Sequence, residues 1–184
     1  MLSTRGFRAQ LVTQGQRELY DYWLYCAGSR PMPARSDLDP LRSVPKLLPC
    51  IGLIDVARGL ADAWFRLAGT RLHDIYGEEI TGKRVDQIFS GPAADYWRRV
   101  HASVVESGLP CQGVVRGPVQ GRDHVVLFWL RLPLSEGGGR VDRILTHDMA
   151  APIENESVSS EPSVLRYPAI QPQLRALPRR VQYG

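Results

Sequence analysis

Residues 122–134 restrict the possible folds more than any other segment, because both of their alternating sets of side chains are largely apolar. One set is Val126, Phe128, Leu130 and Leu132, and the other is Val125, Leu127, Trp129 and Arg131. Successive side chains of a β-strand point to opposite faces of the sheet, so such a strand must be covered on both sides. The segment therefore predicts a central strand in a sheet that lies between two other layers.

The other predicted elements follow an α+β order. Helices are predicted where apolar residues recur at helical spacing, and strands where apolar residues alternate between turn signals. The elements are helix 16–27, strands 50–56 and 63–68, short helices 70–76 and 85–89, helix 92–107, and strands 111–119, 122–134 and 140–150. Two strands, several helices and then three strands are typical of an α+β domain with an antiparallel sheet.

Proline content divides the chain into four segments. Residues 1–15 are predicted to form an N-terminal arm, and residues 16–49 a helix followed by a proline-rich stretch with at most one helical turn, beginning at Asp39. The core of the domain is predicted at residues 50–151. Residues 152–184 contain five prolines, which predicts an extended tail that wraps over the domain or docks on a partner.

Charge and composition exclude several classes of protein. The net charge of +4 divides into +2 for residues 1–15, +1 for 16–151 and +1 for 152–184, so no basic cluster predicts nucleic-acid binding. No apolar run approaches the roughly 18 residues that cross a membrane, and residues 1–10 lack the apolar core of a secretory signal. The three cysteines are far apart, which argues against a disulfide framework. We therefore expect a cytoplasmic protein that binds neither membranes nor nucleic acids.

Short motifs succeed one another along residues 19–150. They are Tyr22-Trp23, Gly28, Arg30, Pro33, Arg35, Asp39-Pro40, Leu47-Leu48-Pro49, the heptapeptide at 65–71, Tyr76-Gly77, Thr81-Gly82 and Phe89. In this order they resemble a bacterial variant of the PAS sensory domain, often a stand-alone protein, that opens with a Tyr-Trp helix and a Pro/Arg/Asp-Pro segment. The resemblance implies a PAS-like α+β fold, a five-stranded antiparallel sheet with helices over one face, enclosing a pocket or an apolar core.

On this fold, one face of the sheet is expected to line a candidate ligand pocket. Its predicted lining is Phe65, Leu67, Phe128 and Leu130 from the sheet, and Leu72, Ile75, Tyr76, Trp97 and Val100 from the helices. The other face, with Trp64 and Trp129, needs a cover, and the N-terminal helix offers the stripe Leu19, Tyr22, Trp23 and Cys26. Because that helix can come from the same chain or from a second one, we predict a homodimer through the N-terminal helix and the outer sheet face.

The resemblance implies a sensory module that has no catalysis of its own. Because 184 residues leave no room for an output domain, we expect it to bind a small molecule or a protein and to signal by contact with a separate signalling protein. The ligand itself is not identified by the sequence. A further alternative is a ligand-free dimerisation adaptor whose pocket is filled by its own side chains.

Cofactor and enzyme alternatives rest on fewer residues. Some PAS domains bind haem through a histidine on the long helix, and His101 lies on this helix, at about 80° from the centre of its apolar stripe. A boundary histidine is the simpler interpretation. A flavin photosensor would need an Asn-Cys-Arg motif, which the chain lacks. The common hydrolase and nucleotide motifs are also lacking, and the adjacent pairs His73-Asp74, Asp123-His124 and His147-Asp148 are expected to point apart. The sequence therefore predicts neither catalysis nor a metal site, and a small-molecule enzyme is the last alternative.

Overall fold

A single five-stranded antiparallel sheet organises the chain in the computed structural model, which describes residues 4–117, 124–137 and 139–152. Its strands are β1 (Ile51–Asp55), β2 (Trp64–Ala68), β3 (Cys111–Arg116), β4 (Val125–Leu134) and β5 (Arg143–Pro152). They lie in the order β2-β1-β5-β4-β3. β4 is hydrogen-bonded to β5 on one side and to β3 on the other, so it is the internal strand that its sequence predicts. The predicted α+β fold is confirmed.

Helices cover both faces of this sheet. They are α1 (Thr4–Ala9), α2 (Gln14–Ala27), α3 (Pro40–Ser43), α4 (Thr70–Tyr76), α5 (Val85–Ile88) and α6 (Gly91–Ser107). We call the face that carries Trp129 and Asp148 the inner face, because these side chains contact α6 and α4. The opposite face, which carries His147, is the outer face, and the first turn of α2 lies against it.

The inner face of β4 is formed by the set of residues that contains Trp129, and this differs from the prediction. Trp129 Nε1 donates a hydrogen bond of 3.1 Å to Tyr96 Oη on α6. Phe128 and Leu130 are adjacent to Trp129 in an extended strand, so they point to the outer face. The prediction that they face the pocket was wrong because both sets of β4 side chains are apolar, and the pattern does not say which set meets α6.

A β-bulge in β2 moves Leu67 away from the predicted pocket. Phe65 lies opposite Ile54 and Leu67 lies opposite Leu53, so Arg66 is an extra residue without a partner in β1. Since Leu53 and Ile54 are consecutive, Phe65 and Leu67 are on opposite faces, and the alternation predicted for β2 is broken. Phe65 is fully buried, whereas Leu67 is 46% exposed.

The outer edge of β2 is paired with the segment that leads into α5. Phe65 donates its backbone N–H to Lys83 O at 2.9 Å and accepts from Gly82 N at 2.7 Å. Val85 N donates to Ala63 O at 2.9 Å. Residues 82–85 therefore occupy the backbone groups of Ala63 and Phe65 that point away from β1.

The outer face of the sheet is covered by α2 of the same chain. Trp23 Nε1 donates to Pro133 O at 2.9 Å and Gln16 Nε2 donates to Trp129 O at 3.1 Å, both in buried surroundings. Leu19 and Trp23 are almost completely buried. Gly15 permits this approach, because a Cβ atom there would lie 2.9 Å from His147 Nε2. The surfaces on which the homodimer was predicted thus meet within one chain, and the homodimer stays a prediction.

The segments outside the sheet contain more helix than the sequence predicted. Within the N-terminal arm, α1 packs on α2 through Phe7 and Tyr20, whose ring centroids are 5.0 Å apart. The proline-rich stretch forms α3 and the 3-10 turns Arg35–Asp37 and Pro45–Cys50, in place of at most one turn. Pro40 and Pro45 begin two of these turns, where no backbone N–H is needed. The predicted tail lies outside the described residues, apart from its first residue.

None of the helices in the described part of the chain is long and apolar enough to cross a membrane.

Candidate functional site

An ion pair between Arg131 and Asp148 lies in the middle of the inner face. Arg131 Nη1 is 2.7 Å from Asp148 Oδ1, Nη2 is 3.3 Å from Oδ2, and both side chains are 0% exposed. The register places Asp148 opposite Trp129 and Thr146 opposite Arg131, so the pair bridges β4 and β5 diagonally. Burial lowers the pKa of Arg131, but the charges and hydrogen bonds of Asp148 and Tyr76 together raise this pKa by more, so the guanidinium stays protonated.

Tyr76 and two tryptophans complete the surroundings of this ion pair. Tyr76 Oη, from the last turn of α4, donates to Asp148 Oδ2 at 2.9 Å. Burial and the charge of Asp148 raise the pKa of Tyr76 well above its ordinary value. The guanidinium carbon of Arg131 lies 4.7 Å from the ring centroid of Trp97 and 5.7 Å from that of Trp129. The cation is therefore neutralised by one carboxylate and also contacts two aromatic rings.

Four polar atoms in this region are buried and have no hydrogen-bond partner among the described residues. They are Trp97 Nε1, Arg131 Nε, His101 Nε2 and Thr146 Oγ1. The first two can only donate a hydrogen bond, and the other two can donate or accept. We call these four atoms the donor set. An unpaired buried polar group costs about 1–3 kcal/mol, so a group of four around one ion pair is unusual for a core filled only by side chains.

His101 contributes to the donor set from α6, one turn after Trp97. Its ring is 2% exposed and lies 5.9 Å from the Trp97 ring, at an interplanar angle of 27°. Burial and the charge of Arg131 lower the pKa of His101 to about 3, so the imidazole is neutral near pH 7. The interpretation of His101 as a boundary histidine was wrong, because α6 presents a wider buried surface than its apolar stripe suggests.

A cleft lies on the inner face, at the end of the sheet where β4 begins and β5 ends. It has a volume of about 260 Å³ and is lined by Cys50, Arg71, Asp74, Ile75, Val125 and Ala150. Burial raises the pKa of the Cys50 thiol, Arg71 opposes this shift, and the charge of Asp148 adds to it. The Cys50 thiol, which lines the cleft, therefore interacts electrostatically with Asp148 of the ion pair. The charges of Arg71 and Asp74 balance each other along the cleft.

The predicted pocket residues divide into two groups. Buried towards the inner side are Phe65, Leu72, Ile75, Tyr76, Trp97, Val100 and His101. A Cβ atom at Gly52 would lie 2.6 Å from Thr146 Oγ1, 3.2 Å from Leu72 and 3.3 Å from Phe65, which places these three side chains together. Leu67, Phe128 and Leu130 are on the outer side. Only Ile75 of the predicted residues lines the cleft itself.

Sequence reasoning missed the charged residues of the site. Arg131 stands in the apolar set of β4, and a charged residue within a central strand is itself a signal of a buried partner. Asp148 was considered only as a neighbour of His147, and the structure places these two side chains on opposite faces, as predicted for adjacent strand residues. The register that brings Asp148 to Arg131 could not be obtained from the pattern.

The residues around His101 do not fit a haem. The space next to its ring is taken by Trp97, which also stacks on Phe89 at 5.3 Å and contacts Trp129 at 5.5 Å between ring centroids. The cleft is lined by other residues and is smaller than the roughly 300–1,000 Å³ of pockets that hold drug-sized ligands. His101 is therefore better described as a member of the donor set than as an axial ligand.

Of the other two adjacent pairs, His73-Asp74 lies at the surface, and Asp123 lies outside the described residues. Contrary to expectation, His73 and Asp74 do meet, with Nδ1 and Oδ1 3.5 Å apart, but their side chains are 58% and 82% exposed. Within the described ranges, no three His, Cys, Asp or Glu residues are grouped as metal ligands would be.

The sequence profile of a known domain family matches most of this chain. The chain is similar to a solved structure described as "Flavin Analogue Sheds Light on Light-Oxygen-Voltage Domain Mechanism", with 14% identity and a TM-score of 0.47, over 64% of this chain and 87% of that one. No curated protein sequence matches significantly. The sequence profile described as "PAS domain" matches residues 12–147, which include α2, β1 to β4 and half of β5. The match covers well over half of the chain, which therefore belongs to the PAS domain family.

Proposed function

We propose that this protein is a sensory PAS module in which a small molecule binds on the inner face and changes the position or stability of α2. The observation that carries the proposal is the double role of β4. Its inward side chains include Trp129 and Arg131, while its backbone carbonyls at Trp129 and Pro133 accept hydrogen bonds from α2. A displacement of β4 at the ion pair would therefore act directly on the helix.

Gln16 is the residue that would be most sensitive to such a displacement. It is completely buried, and its Oε1 accepts from the backbone N–H groups of Val12 and Thr13, each at 3.0 Å. Its Nε2 donates to Trp129 O. One side chain thus connects the start of α2 with the strand that carries the ion pair, so movement of β4 would loosen the first turn of the helix.

The output of this module, in our proposal, is contact with a separate signalling protein in the cytoplasm, without catalysis. The exposed side of α2 supports this, because Tyr25 is 85% exposed there while the opposite side of the helix packs on the sheet. The same exposed side is where a homodimer would form. The ligand-free adaptor remains the second candidate, since the aromatic residues of the inner face pack closely on one another.

Native mass spectrometry and amide hydrogen exchange test the proposal together. The protein as purified is compared with the same sample after any bound small molecule has been removed by unfolding and refolding. We expect a stoichiometric bound mass in the first sample, and faster amide exchange across α2 in the second. The same comparison is made for Gln16→Leu, which cuts the link to Trp129 O, and for Gln14→Leu, a matched change of an exposed glutamine on the same helix.

In the Gln14→Leu protein, amide exchange across α2 should still become faster when the bound molecule is removed. In the Gln16→Leu protein this increase should be smaller. A protein that carries no bound mass and shows identical exchange before and after stripping would support the adaptor and contradict the sensory proposal. A bound mass without any change in α2 would contradict the proposed route of signalling.

A further inference from the structure

The outer face of the sheet is covered by α2 over only part of its area. Gln16, in the first turn of α2, donates to Trp129 O. Trp23, two turns later, donates to Pro133 O, so the helix runs from the middle of β4 towards the end of this strand. Leu130 is on the outer face between these two contacts and is 0% exposed. The start of β4 therefore lies beyond the first turn of α2.

Five apolar side chains on the remaining part of the outer face form a surface that we call the outer patch. They are Val114, Val126, Phe128, Met149 and Ala151. In the register of β3, β4 and β5 these residues lie opposite one another, and Met149 follows His147 of the outer face by two positions. Val114 is 37% exposed and the other four are partly exposed. A continuous apolar patch of this kind is typical of an interaction surface.

The chain leaves the sheet at the edge of the outer patch. Pro152, the last residue of β5, is paired with Val125, and both are adjacent in sequence to residues of the patch. Residues 153–163 contain three acidic side chains and no basic one, so they favour contact with water. Residues 164–170 contain five apolar residues out of seven, so they favour burial. The chain therefore carries a polar linker and then an apolar segment directly after the patch.

We propose that residues 164–170 dock on the outer patch of the same chain. Neighbouring strands are about 4.8 Å apart, so the patch extends about 10 Å from β5 to β3. The eleven residues 153–163 can span up to about 36 Å, which is more than enough. A flexible linker of this length gives an effective concentration in the millimolar range, which favours this segment over a second copy at micromolar concentration. The inference goes beyond the sensory function, because such docking needs no ligand.

Methionine methyl signals in ¹H–¹³C NMR spectra of the full chain give a direct readout. Met149 belongs to the outer patch, whereas Met32 is 5% exposed and lies near Gly108 at the end of α6. The Met149 signal, assigned from the Met149→Leu variant, should move in the double variant Leu165→Ser with Tyr167→Ser, because an apolar chain and an aromatic ring leave the patch. The Met32 signal should stay where it is.

A matched variant and a peptide make the test specific for this segment. Leu174→Ser with Leu177→Ser removes two apolar residues further along the chain, and should leave the Met149 signal unchanged. A synthetic peptide of residues 160–173, added to the Leu165→Ser/Tyr167→Ser protein at millimolar concentration, should return the signal towards its natural position. The same peptide with both serines should bind at least about tenfold more weakly, since it buries less apolar surface.

Three results would overturn the proposal. The first is a Met149 signal that ignores the Leu165→Ser/Tyr167→Ser change or the added peptide, which would leave the outer patch to another protein. The second is an equal shift in the Leu174→Ser/Leu177→Ser protein. The third is a Met149 signal that moves with protein concentration, which would assign the patch to a second copy. None of these results depends on the sensory function, which is read from the exchange of α2 amides.

Discussion

Replacing Asp148 by asparagine should destabilise the protein severely, because it leaves the Arg131 cation buried without a counter-charge. Both side chains are 0% exposed, so solvent cannot take over the role of the carboxylate. Removing one partner of such a buried pair costs about 3–5 kcal/mol, which corresponds to a factor of roughly 150 to 5,000 in the folding equilibrium. Against a typical total of about 5–15 kcal/mol, the change is a large fraction of the stability.

Urea unfolding followed by tryptophan fluorescence measures this change. With a slope of about 2 kcal/mol per molar urea, the midpoint should fall by roughly 1.5–2.5 M. Tyr76→Phe provides a graded comparison, since it removes one hydrogen bond to the carboxylate but keeps the ion pair. Its expected cost is about 1.5–3 kcal/mol.

A second variant distinguishes loss of the counter-charge from loss of packing. The double replacement Arg131→Met with Asp148→Leu removes both charges and keeps an apolar volume, so it should recover most of the stability lost in Asp148→Asn. If Asp148→Asn stays within about 1 kcal/mol of the natural protein, the argument that Arg131 is buried without another partner is refuted. A double variant as unstable as the single one would refute it as well.

Three further predictions concern protonation, packing and assembly. The pKa of His101 is about 3 in the folded protein and 6.5 in the unfolded chain, so between these pH values only the unfolded chain takes up the proton. The free energy of unfolding should therefore fall by about 2 kcal/mol between pH 7 and pH 5. In urea unfolding, His101→Phe should flatten this pH dependence, and an unchanged slope would contradict the prediction. Gly113→Ala would place a methyl group 2.5 Å from Trp129 Cζ2 and should lower the free energy of unfolding by about 1–3 kcal/mol. Gly137 has open space around it, so Gly137→Ala should change the free energy of unfolding by less than about 0.5 kcal/mol. Light scattering should give a dimer mass that is lost in Tyr25→Ser, and a monomer at high micromolar concentration would contradict the homodimer.

The elements of the fold could be predicted because their patterns are local. The long helix was predicted at 92–107 and is observed at Gly91–Ser107, where Gly108 adopts a left-handed conformation with φ of 65° and ends it. The β-bulge was not predictable, because nothing in the sequence around Arg66 distinguishes an extra residue from a regular one. A single unpaired residue was enough to reverse the side on which Leu67 lies.

The candidate site was less predictable because it depends on register. Arg131 and Asp148 are 17 residues apart and meet only because β4 and β5 pair with Trp129 opposite Asp148. A shift by one residue would have placed the aspartate under α2 instead. Sequence alone identified the helices that surround the site and most of its apolar residues, and the polar centre required the three-dimensional pairing.

Pairing of residues 82–85 along β2 has a consequence for self-association. An uncovered strand at the side of a sheet can recruit extended segments from other molecules, which leads to strand addition or to fibrils. Here the backbone groups of Phe65 that would receive such a segment are already bonded to Lys83 and Gly82, and the neighbouring Arg66 adds an exposed charge at the bulge. At Phe65 this edge is thus protected against amyloid-like strand addition, and a partner protein would have to recognise the edge there through side chains.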